Sequence, residues 1–208
     1  MTRFIDLVDS FTAWVGKAFA WCILLLAVGV AYEVFVRYAL RDPTSWAFDL
    51  SYLMYGALFM MAGAYTLARD GHVRGDVVYR LWKPKTQAIV ECILYFFFFF
   101  PGVLAFIFAG ADYAGESWSY NYGTGEVSIN SPAGVPISQF KTIIPVAGAL
   151  LFLQGIAQVC RCIICMRTGE WPAHLEDVEE LEIALLQEQD ETTEDQATGA
   201  TTGEAQDE

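Results

Sequence analysis

Charge is scarce in this chain. Of its 208 residues only 18% are Asp, Glu, Lys or Arg and 55% are hydrophobic, whereas an ordinary soluble domain carries about a quarter charged residues. Histidine is scarcer still. There are two, His72 and His174, and neither lies in a long apolar run, so an intramembrane imidazole holding a haem is excluded. A Walker phosphate-binding loop and the His-Glu-x-x-His pattern of zinc hydrolases are also absent. No apolar run carries a carboxylate at its middle, and there is no clear inverted repeat or pair of broken helices. Secondary transporters build their own substrate and ion sites from those features. No catalytic, cofactor-binding or metal-binding residue is expected, nor a nucleic-acid partner, and the chain is read as a non-enzyme.

The charge that is present is unevenly placed. The net charge is −13, yet from Glu170 onward there are 14 acids and no base, which leaves 11 acids against 12 bases in the rest. A nearly neutral, apolar body over 1–168 therefore carries a solvated acidic tail over 169–208. The tail is expected to hold a short helix followed by disorder.

Four runs are long enough to cross a bilayer as helices, at about 14–38, 47–68, 88–111 and 142–160; a spanning helix needs about 20 mostly apolar residues. None alternates with period two, as a half-buried strand would. The first run lacks a small-residue cleavage site and is read as a span, not as a signal peptide. The expected fold is an all-α membrane protein with four transmembrane helices. One side then holds Arg3, Lys17, Arg69, Arg74, Arg80, Lys83, Lys85, Arg161 and Arg167, and the other Arg37, Arg41 and Lys141. The positive-inside bias puts both termini and the tail in the cytoplasm.

Several polar residues can be read two ways. "LARDGHVRGDVVYRLW" sets His72 among Asp70, Asp76 and three arginines. His72 and Asp76 are four apart, but Gly71 and Gly75 oppose a regular helix and further ligands are lacking, so a hydrogen-bonded cytoplasmic turn is expected. Glu33 and Arg37 stand at i and i+4 in the favourable order for a helical ion pair. In "PTSWAFD", Thr44 or Ser45 is a candidate N-cap and Asp49 an acid at the positive end of the second helix. Glu91 is expected to reach toward the interface. Cys160, Cys162 and Cys165 in "CRCIIC" lack the second cluster a zinc site needs, and a reducing cytoplasm disfavours disulfides. Pro101 after "YFFFFF" is expected to bend the third helix. Gly56 and Gly63, like Gly148 and Gly155, lie seven apart and mark close helix approaches. Gln154 and Gln158 form a polar stripe that needs partners, inside this chain or in another subunit. The outer segment, about 112–140, is long enough to be functional, and its acids Asp112, Glu116 and Glu126 are candidates for docking a basic partner.

These residues resemble a known family. "RYALRDPTSWAFDLSYLMYGALFMMAGAYTLARDGHVRGDVVY" is similar to the DctQ-like small membrane subunits of TRAP (tripartite ATP-independent periplasmic) transporters. The family pattern falls on Arg37, Tyr38, Pro43, Trp46, Asp49, Gly63, Ala64, His72, Val73 and Asp76, with Asp49 where the family often has Glu. The stretch "SWSYNYGTGEVSINSPAGVPISQFKTIIPVAGALLFLQGIAQVCR" resembles the branch associated with organic-acid, mannitol-type and chloroaromatic substrates. The likeness spans about 14–167 and omits the tail. It implies an inner-membrane subunit that packs against the scaffold of a large membrane subunit, which holds the substrate and ion sites. A periplasmic binding protein delivers the solute, and an ion gradient, usually sodium, drives import. It marks Arg37, Trp46, Asp49, Gly63, His72 and Asp76 as structural or interface positions. Two alternatives stay open: a membrane anchor of an oxidoreductase complex, and a small self-contained exporter.

Overall fold

A computed structural model describes residues 1–69, 71, 79, 81–120 and 125–172, all within a unit spanning Met1–Ala173. The expected tail helix and the turn at His72 and Asp76 lie outside the described residues.

Among the described residues, four helices are long and apolar enough to cross a membrane. Helix α1 (Thr2–Phe35) closes with a π-helical turn, Val36–Leu40, and the chain turns at Arg41 in the left-handed region, φ 56°. Helix α2 (Ala47–Ala68) returns. The third span is built from α3 (Pro84–Leu94), a π-helical turn Tyr95–Phe99 and α4 (Phe100–Ser119). Helix α5 (Ser138–Thr168) ends at Gly169, which caps it at φ 87°. No strand occurs among the described residues, and one isolated bridge joins Val127 to Pro136 in the segment before α5. Such continuous helices follow from the solvent: in lipid every backbone polar group must be satisfied within its own segment.

The helices outrun the apolar hearts that the sequence marks. The first span is 39 residues, Thr2–Leu40, and the third 36, Pro84–Ser119. At 1.5 Å per residue these reach about 58 and 54 Å, beyond the roughly 30 Å of bilayer hydrocarbon. Pro101, expected to bend the third helix, sits directly after a helical irregularity. Proline lacks an amide hydrogen and crowds the carbonyl four residues back; the chain answers with the wider π turn directly before it. Interruptions of this kind are a common source of helix bending.

Helix α5 is the hub. Its neighbours are α1, α2, α3 and α4, while the third span touches neither α1 nor α2 extensively. Burial follows this order: 33% of the most apolar window of α5 is covered, against 6% in the third span. Glycine lets the backbones close up at these crossings. Gly56 on α2 faces the Phe140 ring, Gly110 on α4 faces Ile144, and on α5 Gly148 faces Ile107 and Gly155 faces Phe99. An added Cβ at Gly155 would stand 2.4 Å from the Phe99 ring. Gly63 differs: nothing among the described residues lies within 4 Å of its missing Cβ.

The bundle has two ends. At the proximal end α1 begins, α2 finishes, the third span begins and α5 finishes. The distal end carries the turn 41–46 and the described segment 125–137.

Candidate functional site

The densest polar chemistry lies at the proximal end, inside the bundle. Asp9 and Arg161 are each 1% exposed and form an ion pair between α1 and α5 through Arg161 Nη2 and Asp9 Oδ2. Gln154 Nε2 donates to Asp9 Oδ1 at 2.7 Å, and Thr12 Oγ1 donates to Gln154 Oε1 at 3.2 Å. Arg161 Nη1 donates to Gln158 Oε1 at 3.0 Å, and Gln158 Nε2 donates to the Leu67 carbonyl at 3.1 Å. Thr12, Gln154, Asp9, Arg161, Gln158 and the end of α2 therefore form one chain of hydrogen bonds across three helices. Helical spacing brings it together: on α5 the participants are four and three residues apart, and on α1 three apart, so each set shares a face. The expected stripe of Gln154 and Gln158 finds its partners within this chain.

Sequence reasoning missed Asp9 and Thr12 and took Arg161 only as a charge that sets orientation. A signal was available. Ile5, Val8, Thr12 and Val15 are buried at intervals of three and four, so the inward stripe of α1 begins well before the uncharged run and carries Asp9 with it.

At the distal end three more acids are engaged. Glu33 is buried, and Arg37 donates to its Oε1 from Nη2 at 2.6 Å and from Nε at 3.0 Å. The Thr44 amide donates to Oε2 at 3.1 Å, as does the Thr44 hydroxyl. The expected ion pair with Arg37 is present, and Thr44 closes the turn between α1 and α2 over it. The expected N-cap is not formed: the cap position of α2 is Trp46, with no side-chain cap bond, because Thr44 is directed at Glu33 instead. Trp46 stacks on Tyr32 with ring centroids 6.1 Å apart.

Asp49, in the first turn of α2, is 1% exposed. Its Oδ2 accepts from Ser131 Oγ at 2.7 Å and from the Ala133 amide at 3.2 Å. Asp49 therefore does more than favour the positive helix end: it ties down a segment more than 80 positions away in sequence. Beside it, Glu126 pairs with Lys141 Nζ. Lys141 is 5% exposed and lies 3.9 Å from the centroid of the Tyr113 ring. The hydrogen bond from Lys141 holds the Glu126 carboxyl below its ordinary range. Backbone bonds lock the same place: the Glu126 amide to the Ser117 carbonyl at 3.1 Å, and the Ile137 amide to the Glu126 carbonyl at 2.8 Å. Of the three acids read as docking candidates, Glu126 is thus neutralised within the chain, whereas Asp112 and Glu116 are exposed on α4 without an ion partner among the described residues.

The remaining polar residues serve packing at the proximal end. Glu91 is half-buried and accepts from the Tyr79 hydroxyl and, at 3.7 Å, from Cys162 Sγ; it joins the third span to α5. Cys165 Sγ points at the Pro84 carbonyl at 3.6 Å. All five cysteines are free thiols, and no group of three His, Cys, Asp or Glu able to hold a metal occurs among the described residues.

Among the described residues, large apolar side chains stand exposed along the spans. Trp21, Leu24, Leu25 and Val28 on α1 and Phe96, Phe97, Phe98 and Phe108 on the third span are all more than half exposed. In a membrane such faces meet lipid or another subunit.

Against known families, a family model described as "Tripartite ATP-independent periplasmic transporters, DctQ component" matches residues 26–164, more than half of the chain. No curated protein matches it.

Proposed function

The chain belongs to the DctQ component family of TRAP transporters, the small permease subunit of a multi-pass inner-membrane system, and we propose that it is a scaffold-supporting subunit with no transport site of its own. On this reading it packs against the fixed part of a large membrane subunit and widens it in the bilayer. The solute, an organic acid, arrives on a periplasmic binding protein, and an ion gradient drives its import. Both termini then face the cytoplasm, so the proximal end is the inner one and the distal end faces the periplasm.

One observation carries the proposal. The acids buried in the described body are all engaged in construction: Asp9 pairs with Arg161, Glu33 with Arg37, and Asp49 holds the distal segment. Glu33, nearest to a transport carboxylate by position, has both oxygens filled by four hydrogen bonds. An ionisable residue that carries ions across a membrane faces a cavity or a pathway; these face Arg161, Arg37 with Thr44, and Ser131 with the Ala133 amide. The open face at Gly63 and the bare apolar faces of α1 and the third span are the surfaces that remain for a large subunit and for lipid.

Co-expression tests it. Affinity-tagged chain should retain a co-expressed large subunit through detergent extraction and size exclusion. Gly63→Phe, which fills the open face, is expected to reduce recovery of the pair while the chain itself still folds. Recovery of the chain as a lone species, with no large subunit bound, would count against the proposal.

A further inference from the structure

Among the described residues three acids are buried, and two of them face an arginine: Asp9 meets Arg161 and Glu33 meets Arg37. Asp49 is the exception. It is 1% exposed and has no Lys or Arg within ion-pair reach among the described residues. The bases of the distal end are placed elsewhere: Arg37 on Glu33, Lys141 on Glu126, and Arg41 exposed in the turn after α1.

The Asp49 carboxylate is only half satisfied. Its Oδ2 accepts from the Ser131 hydroxyl and the Ala133 amide, whereas Oδ1 is buried and accepts from nothing. The Tyr52 hydroxyl is likewise buried and unpartnered. Asp49 and Tyr52 are three residues apart on α2 and so share a face. The Tyr52 hydroxyl feels the Asp49 charge and stands beside the Ser128 side chain, yet closes a hydrogen bond with neither. Its ring packs on Phe48 and edge-on to Phe140, with centroids 5.7 and 6.5 Å away, which holds the hydroxyl in place. Ser128 and Ser131 belong to one tight turn, closed by the Ser131 amide donating to the Ser128 carbonyl at 3.0 Å. Oxygens of a carboxylate, a phenol and an aliphatic hydroxyl therefore gather at one corner, where the segment 125–137 closes over the start of α2.

A buried charge is stable when it is paired, hydrogen-bonded or bound to a metal ion. The positive end of α2 and the two donors to Oδ2 meet part of that need and leave Oδ1 bare. A water would supply a hydrogen bond there but no charge; a cation supplies the charge and takes lone pairs from all three oxygens. Calcium takes about six to eight oxygen ligands, whereas one negative charge and three side-chain oxygens suit a monovalent ion. We propose that Asp49 Oδ1, the Tyr52 hydroxyl and the Ser128 hydroxyl hold a monovalent alkali cation that fastens the segment 125–137 to α2. The ion is a fastener and not cargo: Asp49 is closed off from solvent, and the segment above it is tied again at Glu126 by Lys141 and by the Ser117 carbonyl.

Hydrogen exchange of the purified full-length chain in detergent tests this, with Na+ or K+ titrated against choline at constant ionic strength and pH. The readout is protection of the Ala133, Val135 and Ile137 amides, which donate to Asp49, Ser131 and Glu126. An ion that binds only the closed segment raises protection by mass action, so a concentration about ten times the dissociation constant should raise it about tenfold over choline. Asp49→Asn keeps the side-chain shape and removes the charge, and its protection should respond to neither ion. Tyr52→Phe should still respond but need about tenfold more cation, the worth of one contact with a charged group. Equal protection of the unsubstituted chain in Na+, K+ and choline would overturn the proposal and leave a water between Asp49 and Tyr52. An undiminished response in Asp49→Asn would overturn it as well, because the ion would then bind elsewhere. Should Asp49→Asn fail to fold, an unshifted titration in Tyr52→Phe would overturn it on the same ground.

Discussion

Removing Arg161 leaves Asp9 as a carboxylate buried among α1, α2 and α5 with no cation to face it. Both groups are 1% exposed, so solvent does not screen the pair. Breaking a buried pair by deleting one partner costs about 3–5 kcal/mol. Arg161→Met and Asp9→Leu should each destabilise the chain by that amount. The double substitution should cost much less than the sum, about 2 kcal/mol, since it removes both charges and leaves Gln154 and Gln158 each short of one hydrogen bond at about 1 kcal/mol apiece. With singles of at least about 3 kcal/mol each against about 2 kcal/mol for the double, the cycle carries a coupling energy of at least ~4 kcal/mol. The assay is reversible unfolding of the isolated chain in mixed micelles, with helicity followed by circular dichroism as denaturing detergent is raised. Single substitutions costing under ~1 kcal/mol, or a double equal to the sum, would refute the claim that this pair ties α1 to α5.

Gly155→Val should destabilise the chain by about 1–3 kcal/mol through overpacking against Phe99, and pairing it with Phe99→Leu should recover part of the loss; no recovery would place the strain elsewhere. Glu126 gives a pH signature. Its folded carboxyl is held below the ordinary value by Lys141, so its contribution is complete above the ordinary carboxylate range and disappears as pH falls through the lowered value. Protection of the 125–137 amides, corrected for the intrinsic pH dependence of exchange, should fall at acid pH in the unsubstituted chain, and Glu126→Gln should already show low protection at neutral pH; identical profiles would contradict this. His72→Ala is expected to lower abundance of the assembled complex while leaving the ion and substrate response of surviving complexes intact, and a bound metal lost on that substitution would defeat the turn reading.

The spans were legible because burial in lipid demands about 20 apolar residues, and no tertiary contact is needed to see such a run. The pair Glu33 and Arg37 was legible for a similar reason: its geometry is local to one helix. What escaped was long-range. Asp9 reads as a solvated charge near a chain end until Arg161, 152 positions away, is placed beside it. Thr44 satisfies every local rule for an N-cap, yet a carboxylate eleven residues back outcompetes the helix amides. Glu126 was read as a surface acid because nothing in its neighbourhood reveals that Lys141, at the start of α5, turns toward it. Gly63 shares its spacing with Gly56, and periodicity alone cannot tell which of the two meets a ring inside the chain and which faces outward.

Uptake into proteoliposomes decides the function most directly. The chain alone, and the chain with the binding protein only, should accumulate no organic acid under any imposed gradient. Addition of the large subunit should produce uptake that requires the binding protein and an ion gradient and that proceeds without ATP. Gradient-driven accumulation by the chain alone would contradict the scaffold role and make it a transporter in its own right.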